Sequence, residues 1–430
     1  MKQQFVTKEV IHLSSEKWHI TFNALNTNCT ILHVTNDDKF IIDIKITDGE
    51  ITASILFSGR ETPLTLKGKV HERDLVIINN AHYKISLYVN GILCDEDWPI
   101  GTVQLKNAIC EKLGTSVFIS DEEFCENQEK ADTIRTFHNV QGWKPEGLNT
   151  HVGDCMPLYH DGTYHLFYLF DRRGHGSKWG LGAHQWGHIS SNDLVNWNEH
   201  PLAVKIDRQE EGSICTGSVV VHNGIFYAFY AVRMCDGSPA KLSWSTSSDG
   251  IHFTKSHQDF ALSAPYHPAS ARDQKVFADS DGVFHMLITT SLVTETGNKG
   301  CLAHVVSRDL INWEQAKPMV ILDIEDQPEC SDYFYKKGFY YLIYSNFGVA
   351  HYFISKEPFG PWEAPKNNVI VDETYRVPKR ALWKDERIIF AGFNIGNDVH
   401  WGGTARFYEA KQQADGTLEF VDVPEMCDLT

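Results

Sequence analysis

A two-part block recurs from about residue 150 onward, and this repeat restricts the possible folds more than any other feature of the chain. Its first part is a tight turn, usually with glycine, followed by an aromatic-rich alternating strand. The copies are DGTYHLFY (161–168), NGIFYAFY (223–230), DGVFHMLI (281–288), KGFYYLIY (337–344) and the degenerate KDERIIFAGF (384–393). Its second part is a polar turn that ends in an aromatic residue, as in SSNDLVNW (190–197) and SRDLINW (307–313).

The spacing of the repeat predicts the size of one structural unit. The four turn glycines follow one another at intervals of 62, 58 and 56 residues, which accommodates a four-stranded sheet and its loops. Five such units around an axis predict a five-bladed β-propeller over residues 136–430, within an all-β protein. A β-sandwich with long connections is the alternative, but it does not explain a two-part repeat.

Residues 1–135 lack the repeat and alternate in the manner of antiparallel strands, with Asn90-Gly91 as a hairpin turn. We therefore predict an N-terminal β-sandwich. The stretch YKISLYVNGILCDEDWPIG (83–101) resembles the concanavalin-like sandwiches, which implies a carbohydrate-binding or a structural module. The polar segment 119–137 is the expected linker between the two parts, and a helix is one conformation open to it.

The length, net charge and cysteine pattern of the chain restrict its domain number, its binding partners and its cellular location. A chain of 430 residues favours two domains, and a net charge of −17 argues against nucleic acid and membrane surfaces as partners. The N-terminal residues lack the apolar stretch of a signal peptide, and the ten cysteines form no CxxC pair. We therefore expect reduced thiols, a cytoplasmic location and no structural zinc site.

Three acids occupy nearly the same place in different copies of the repeat. Asp154, Asp273 and Glu329 lie eight, nine and nine residues before a turn glycine, which predicts that each lies on or near the innermost strand of its unit. The matching places in the other two units hold Cys215, Thr216, Val377 and Pro378. Convergent carboxyls are costly to bury, and a pair of them is the standard equipment for glycoside cleavage. Ordinary turn aspartates and a cation site are the alternatives, although no Asp-rich loop of calcium-binding spacing occurs.

Around these acids the chain resembles glycoside hydrolase family 32, the invertases and fructanases, and more distantly family 43. The resemblance runs from roughly residue 150 to 423. It is carried by GDCMPLYHDGTYHLFY (153–168), WGHISSNDLVNWNEHPLAV (186–204), CTGSVV (215–220), ARDQKVF (271–277), ECSDYF (329–334) and WGGTARFYEAKQQADGTLEF (401–420).

The resemblance implies a role for each acid. Asp154 would be the nucleophile, Glu329 the general acid/base, and Asp273 the transition-state stabiliser. It also implies that Arg272 lies beside Asp273, and that Trp186, Thr216 and Trp401 line the sugar pocket. The chain departs from the family at Gly153, Cys155-Met156-Pro157, Gln274 and Ser331, which leaves the acids in place but leaves the choice of sugar open.

Other residues near the first acid have two interpretations. His151, His184 and His188 suit substrate contact or ordinary hydrogen bonding better than a metal, because no third ligand follows at a recognisable interval. The pair Arg172-Arg173 could grip a phosphate or carboxylate, but a salt-bridged loop is the favoured interpretation.

Three functions remain open from the sequence. The first is a retaining glycoside hydrolase that cleaves or transfers a β-fructofuranoside, acting on an oligosaccharide or small glycoside without metal or cofactor. The second is an inverting hydrolase similar to arabinofuranosidases, with Asp154 as the base. The third is a non-catalytic carbohydrate-binding propeller, which would have no need of an acid/base pair.

Overall fold

The computed structural model describes residues 6–11, 17–37, 39–81, 84–103, 105–113, 117–121, 132–256, 258–324, 326–396 and 400–427. These residues form strands and loops, with short helical turns only at Ser177–Gly180, Pro268–Ser270, Lys384–Glu386 and Pro424–Met426. The predicted all-β class is therefore confirmed. Within these ranges, no helix is both long and apolar enough to span a bilayer.

The N-terminal part is made of two antiparallel sheets. Its strands are β1 (Val6–Ile11), β2 (Lys17–Asn23), β3 (Cys29–Asn36), β4 (Lys39–Thr47), β5 (Glu50–Ile55), β6 (Leu64–Lys69), β7 (Leu75–Ala81), β8 (Lys84–Val89), β9 (Ile92–Asp97), β10 (Ala108–Leu113) and β11 (Phe118–Ser120). One sheet has the order β1-β10-β3-β4-β5-β6 and the other β11-β2-β7-β8-β9. Alternating residues such as Ile42, Ile44 and Ile46 of β4 are buried, and side chains of both sheets share one hydrophobic core. We call this part the N-terminal double sheet.

The remaining strands follow the sequence repeat. They are β12 (Arg135–His138), β13 (Thr150–His160), β14 (Thr163–Arg172), β15 (Gln185–Ser191), β16 (Asn196–Val204), β17 (Glu211–His222), β18 (Ile225–Met234), β19 (Lys241–Ser247), β20 (Thr254–Lys255), β21 (Arg272–Ala278), β22 (Phe284–Thr294), β23 (Gly297–Ser307), β24 (Glu314–Gln315), β25 (Val320–Ile321), β26 (Glu329–Lys336), β27 (Phe339–Asn346), β28 (Val349–Ser355), β29 (Tyr375–Trp383), β30 (Arg387–Ile395), β31 (Gly403–Gln412) and β32 (Leu418–Val421).

These strands form five antiparallel units that begin with β13, β17, β21, β26 and β29. Only single residue pairs connect β13 with β31 and β28 with β29, so the sheet path that joins three of the units is a set of separate meanders. Each first strand contacts the first strand of the next unit, and β29 contacts β13. The contacts of the five first strands therefore close into a cycle, which we call the five-unit ring.

Local chemistry explains both parts of the repeat. Asp161 and Gly162 both have positive φ, at 45° and 81°, which is the conformation of the two-residue turn that Asp-Gly favours. In the polar turn, the Asp193 Oδ1 accepts the backbone N–H groups of residues 195 and 196 at 2.8 Å. Asp249 and Asp309 accept the equivalent N–H groups in the second and third units. The aspartate therefore closes the turn between the third and fourth strands of a unit.

The expected linker spans the junction of the two parts. Its ends belong to strands, because β11 ends at Ser120 and β12 begins at Arg135 and pairs with β16 of the first unit. A helix was considered for the whole segment 119–137, and its central residues, 122–131, lie outside the described residues.

Candidate active site

A β-bulge interrupts the first strand of every unit at one place. The pairing register shifts between residues 152 and 155, 214 and 217, 272 and 275, 329 and 332, and 376 and 379. A bulge leaves residues unpaired and re-aims their side chains. Asp154 and Asp273 lie within their bulges and Glu329 lies immediately before its own, so the acids occupy adjacent, not identical, positions of one structural feature.

Cys330 joins two of the three acids. Its thiol donates to the Asp154 Oδ2 over 3.3 Å, and its backbone N–H donates to the Asp273 Oδ2 over 3.1 Å. The Thr216 hydroxyl also donates to the Asp154 Oδ2. Because Glu329 is the residue before Cys330, the described contacts bring all three predicted acids to one site, as their register suggested.

Arg272, which was predicted to lie beside Asp273, also binds the side chain of Glu329. The Arg272 Nη2 donates to the Glu329 Oε1 over 2.8 Å, while its Nη1 binds the Gln327 side-chain oxygen and the Ser270 carbonyl. The Arg272 Nε lies 3.7 Å from the Asp273 Oδ2. One guanidinium thus lies between two of the acids, which fixes the Glu329 side chain and offsets part of the negative charge.

The environments of the carboxyls differ. Burial, followed by the charge of Asp273, raises the pKa of Glu329 from 4.5 to about 7 against the opposing effect of Arg272. Burial also raises the pKa of Asp154, while the hydrogen bonds from Thr216 and Cys330 and the charge of Lys379 oppose that rise. Glu329 is thus suited to carry a proton near neutral pH, and Asp154 is supplied with donors that favour its ionised form.

Buried cations around the site were not found by sequence reasoning. Lys379 is 1% exposed and its Nζ donates to the Gly217 carbonyl over 2.8 Å. The buried Asp332 binds the Lys275 Nζ at 2.8 Å, and its Oδ2 accepts the Arg380 backbone N–H at 2.8 Å. The sequence position of Lys379 could have indicated it, because this lysine directly follows the residues of the fifth unit that match the acids of the other units.

The predicted sugar-contact residues have different placements. Thr216 contacts Asp154 as described, and His151 is buried with its Nδ1 3.3 Å from the Asp171 Oδ2. Trp186 is 0% exposed, packs in a hydrophobic core and donates its indole N–H to the Cys215 carbonyl over 2.9 Å. A side chain with no exposed surface cannot contact a sugar, so we correct its role to support of the strand that carries Thr216.

Trp401 is partly buried and lies directly over Gly153. A Cβ atom at residue 153 would be only 2.0 Å from the Trp401 Cη2, which no real contact allows. The ring of His184 also stacks on the indole, at a centroid distance of 4.4 Å. The glycine that departs from the family pattern therefore makes room for an aromatic ring next to Asp154.

The end of β14 and the loop after it contact both the site and the N-terminal double sheet. Asp171 accepts from the His184 Nε2 at 3.1 Å and from the His175 backbone N–H at 2.9 Å. Arg172 and Arg173 form ion pairs with acids of β9, so this loop is salt-bridged as favoured, but against the other part of the chain. His188 lies apart from this cluster, fully buried beside His165.

The contacts also bear on cysteine chemistry and on metal binding. Burial raises the pKa of both the Cys155 and the Cys330 thiols well above the usual value, so neither is a ready nucleophile. Across the described ranges, no group of three or more His, Cys, Asp or Glu side chains has the arrangement of a metal site.

Comparison with known proteins places the chain in a family. The sequence model described as "Glycosyl hydrolases family 32 N-terminal domain" matches residues 155–379, which is more than half of the chain. The chain belongs to glycoside hydrolase family 32. The family match includes Asp273 and Glu329 and begins one residue after Asp154.

Relatives of this family 32 chain are distant. It is 27% identical over 251 residues to a probable sucrose-6-phosphate hydrolase of Psychromonas ingrahamii, a match that covers 55% of this chain and 42% of that protein. The chain thus spans about two fifths of the length of the curated relatives it matches.

Solved structures share the fold. Fructan 1-exohydrolase IIa of Cichorium intybus superposes with a TM-score of 0.55 at 17% identity, covering 68% of this chain and 61% of the other. A family 43 β-xylosidase/α-arabinofuranosidase from a compost metagenome superposes with a TM-score of 0.52 at 15% identity, covering 67% and 98%. The expected similarity to both families is confirmed.

Proposed function

We propose that the five-unit ring is a five-bladed β-propeller that hydrolyses β-fructofuranosides, or transfers their fructosyl group, with retention at the anomeric carbon. The cyclic contacts of the five first strands and the membership in family 32 support this proposal. The N-terminal double sheet is then a β-sandwich that precedes the catalytic domain.

The observation that carries the proposal is the difference between the environments of Asp154 and Glu329, which both neighbour Cys330. Asp154 receives hydrogen bonds from a hydroxyl and a thiol, which oppose the rise that burial causes in its pKa and stabilise the carboxylate. The pKa of Glu329 is raised to about 7, which favours a carboxylic acid near neutral pH. A carboxylate nucleophile beside a carboxylic acid is what a retaining glycosidase requires, whereas a sugar-binding protein needs neither state.

The first step forms a bond between an Asp154 oxygen and the anomeric carbon of the fructosyl unit. The bond from that carbon to the leaving oxygen breaks, and Glu329 gives its proton to this oxygen. In the second step Glu329, now ionised, takes a proton from water while the water oxygen attacks the anomeric carbon. The ester to Asp154 breaks, and both carboxyls return to their starting states. A sugar hydroxyl in place of water gives transfer.

Asp273 and Arg272 assist this exchange without bonding to the sugar carbon. Asp273 accepts hydrogen bonds from fructosyl hydroxyls, and these strengthen as positive charge develops on the ring. Arg272 keeps Glu329 in one position through its 2.8 Å hydrogen bond. The reaction as proposed needs no metal or cofactor.

The proposed substrate is a small fructoside. Some relatives are named sucrose-6-phosphate hydrolases, but Arg172 and Arg173, the pair considered for a phosphate, are bound to carboxylates of β9. Sucrose, sucrose 6-phosphate, kestose, inulin and levan should therefore be compared directly, with fructose release as the measurement. We expect turnover of unphosphorylated fructosides, and the cytoplasmic location inferred from the sequence remains part of the proposal.

The acids are tested by Asp154→Asn and Glu329→Gln, with Asp279→Asn in the β21–β22 turn as a matched control. We expect losses of roughly 10³-fold or more in kcat for the first two variants on natural fructosides, and little change for the control. On an activated aryl fructoside, Glu329→Gln should accumulate a fructosyl ester on Asp154, visible by intact mass, and azide should restore its turnover.

Different outcomes favour the other functions. Nuclear magnetic resonance of the first product formed measures the anomeric configuration. An inverted product would indicate that Asp154 acts as a base on water and not as a nucleophile. Release of no sugar from any fructoside or arabinofuranoside, together with measurable sugar binding, would indicate the non-catalytic alternative.

A further inference from the structure

The end of strand β9 presents three consecutive acids to the five-unit ring. Asp95, Glu96 and Asp97 are 1%, 5% and 3% exposed, and three carboxylates so deeply buried require partners. The Arg173 Nη2 lies 2.8 Å from the Asp95 Oδ2, and its Nη1 lies 3.5 Å from the Asp97 Oδ2. The Arg172 Nε lies 3.2 Å from the Glu96 Oε1. We call these five residues the interdomain clamp.

Further contacts anchor the same loop to the N-terminal double sheet. The Asp97 Oδ1 accepts the backbone N–H of Lys178 at 2.8 Å. The Trp179 ring packs edge-on against Phe57 and lies under the guanidinium of Arg60, 4.1 Å from the ring centroid. In the other direction, Trp98 packs in a hydrophobic core of the five-unit ring. The loop thus has partners in the double sheet along much of its length.

The loop backbone needs such support. Arg173, His175, Lys178 and Trp179 have φ between 51° and 72°, a left-handed conformation that residues with a Cβ rarely adopt. Conformations of this kind persist only where surrounding contacts over-determine them. The clamp provides those contacts from outside the five-unit ring.

The other side of the loop faces the active site. Asp171, directly before the clamp arginines, is fully buried and binds His184 at 3.1 Å. His184 stacks on Trp401, whose ring lies over Gly153 next to Asp154. An unbroken series of contacts therefore connects the acids of β9 with the aromatic ring beside the proposed nucleophile.

We propose that the interdomain clamp is a positioning device: the N-terminal double sheet fixes the end of β14 and the loop that follows it, residues 171–184, and thereby holds Trp401 in place for the sugar. Asp95, Glu96, Asp97, Arg172 and Arg173 are positioning residues that do not touch the substrate. The N-terminal part is then required for substrate binding, although it contributes no side chain to the reaction. The kinetic part of this inference rests on the proposed function.

The test uses the full chain with Arg173→Gln, Asp95→Asn and their combination. The control is Glu409→Gln, which removes the negative charge from a similarly buried pair, Arg387–Glu409 at 2.7 Å, near the opposite end of β31 from Gly403. We expect amide hydrogen exchange in residues 174–184 to accelerate at least tenfold in the clamp variants and to stay unchanged in the control. The combined variant should be no worse than Arg173→Gln alone, because Arg173→Gln already removes the ion pair with Asp95.

The kinetic measurement separates positioning from general destabilisation. A displaced sugar platform weakens ground-state and transition-state binding alike, so we expect KM for a fructoside to rise about tenfold with kcat within about threefold of wild type. Unchanged exchange, or faster exchange with unchanged KM, would overturn the proposal, as would an equal KM change in the Glu409→Gln control.

The clamp proposal can be tested even if the proposed function is wrong or if one variant does not fold. Absence of fructosidase activity in the wild type refutes the proposed function, while the exchange measurement still decides whether the clamp holds the loop. If Arg173→Gln does not fold, Glu96→Gln keeps an acceptor for Arg172 and removes only the negative charge, so the same exchange and KM measurements apply to it.

Discussion

Replacing Glu329 by glutamine should stabilise the protein at high pH while it abolishes the chemistry. The pKa of Glu329 is raised from 4.5 to about 7 by burial and then by the charge of Asp273. The folded state therefore binds this proton more tightly than the unfolded chain, so stability falls as pH rises from 4.5 to 7. At about 1.36 kcal/mol per pH unit, the loss across that window is about 3 kcal/mol. A glutamine at this position carries no charge, so the variant does not lose this stability as the pH rises.

Thermal unfolding at several pH values measures this difference. With an unfolding entropy of about 2.1 cal/mol/K per residue over about 300 residues, 3 kcal/mol corresponds to about 5 °C in Tm. The Tm advantage of Glu329→Gln should therefore grow by about 5 °C from pH 4.5 to pH 8, most of it between 4.5 and 7. Glu363→Gln, at an exposed position, should show no such trend. An advantage that is independent of pH, or a loss of Tm at pH 8, would refute the reasoning.

Three further changes test other contacts. Gly153→Asn should displace Trp401 and raise KM at least tenfold on a fructoside, as measured by initial rates of fructose release. Lys379→Met removes a charge that lowers the pKa of Asp154, so the acidic limb of the kcat/KM profile should move to higher pH. Asp332→Asn removes the buried negative charge that pairs with Lys275 and Arg380, and should cost about 3–5 kcal/mol in denaturant unfolding, because it leaves two largely buried cations without a compensating charge.

The repeat in the sequence was sufficient to bring the acids together but not to align them exactly by position. Counting from the turn glycines assumes turns of equal length. The turn between β13 and β14 has two residues, as does the turn between β26 and β27, whereas residues 279–283 separate β21 from β22. The count therefore places the acids within a residue or two of one another. The bulge that sets their final directions has no signature in the alternation of side chains.

Trp186 and Trp401 have different surroundings, although the family pattern implied the same role for both. Both were expected to line a sugar pocket, but Trp186 is enclosed in a core whereas Trp401 lies against Gly153, the residue before Asp154. Burial depends on residues distant in sequence, so no local pattern separates the two. The glycine at 153 was visible as a departure, but its meaning needs the position of a ring 248 residues further along the chain.

The site owes its geometry to the backbone more than to the acids themselves. Asp273, Cys330 and Val377 lie in bulges with φ of 58°, 50° and 39°, and a left-handed residue with a Cβ costs about 1–3 kcal/mol. The hydrogen bond from the Cys330 N–H to Asp273 and the closed cycle of first strands oppose relaxation of this strain. Because the bulges are set by pairing on both sides, changing Asp154 or Glu329 to its amide alters charge without releasing the backbone. Loss of activity in those variants therefore reports on chemistry, and a gain in stability alongside it reports on the repulsion that the acids impose.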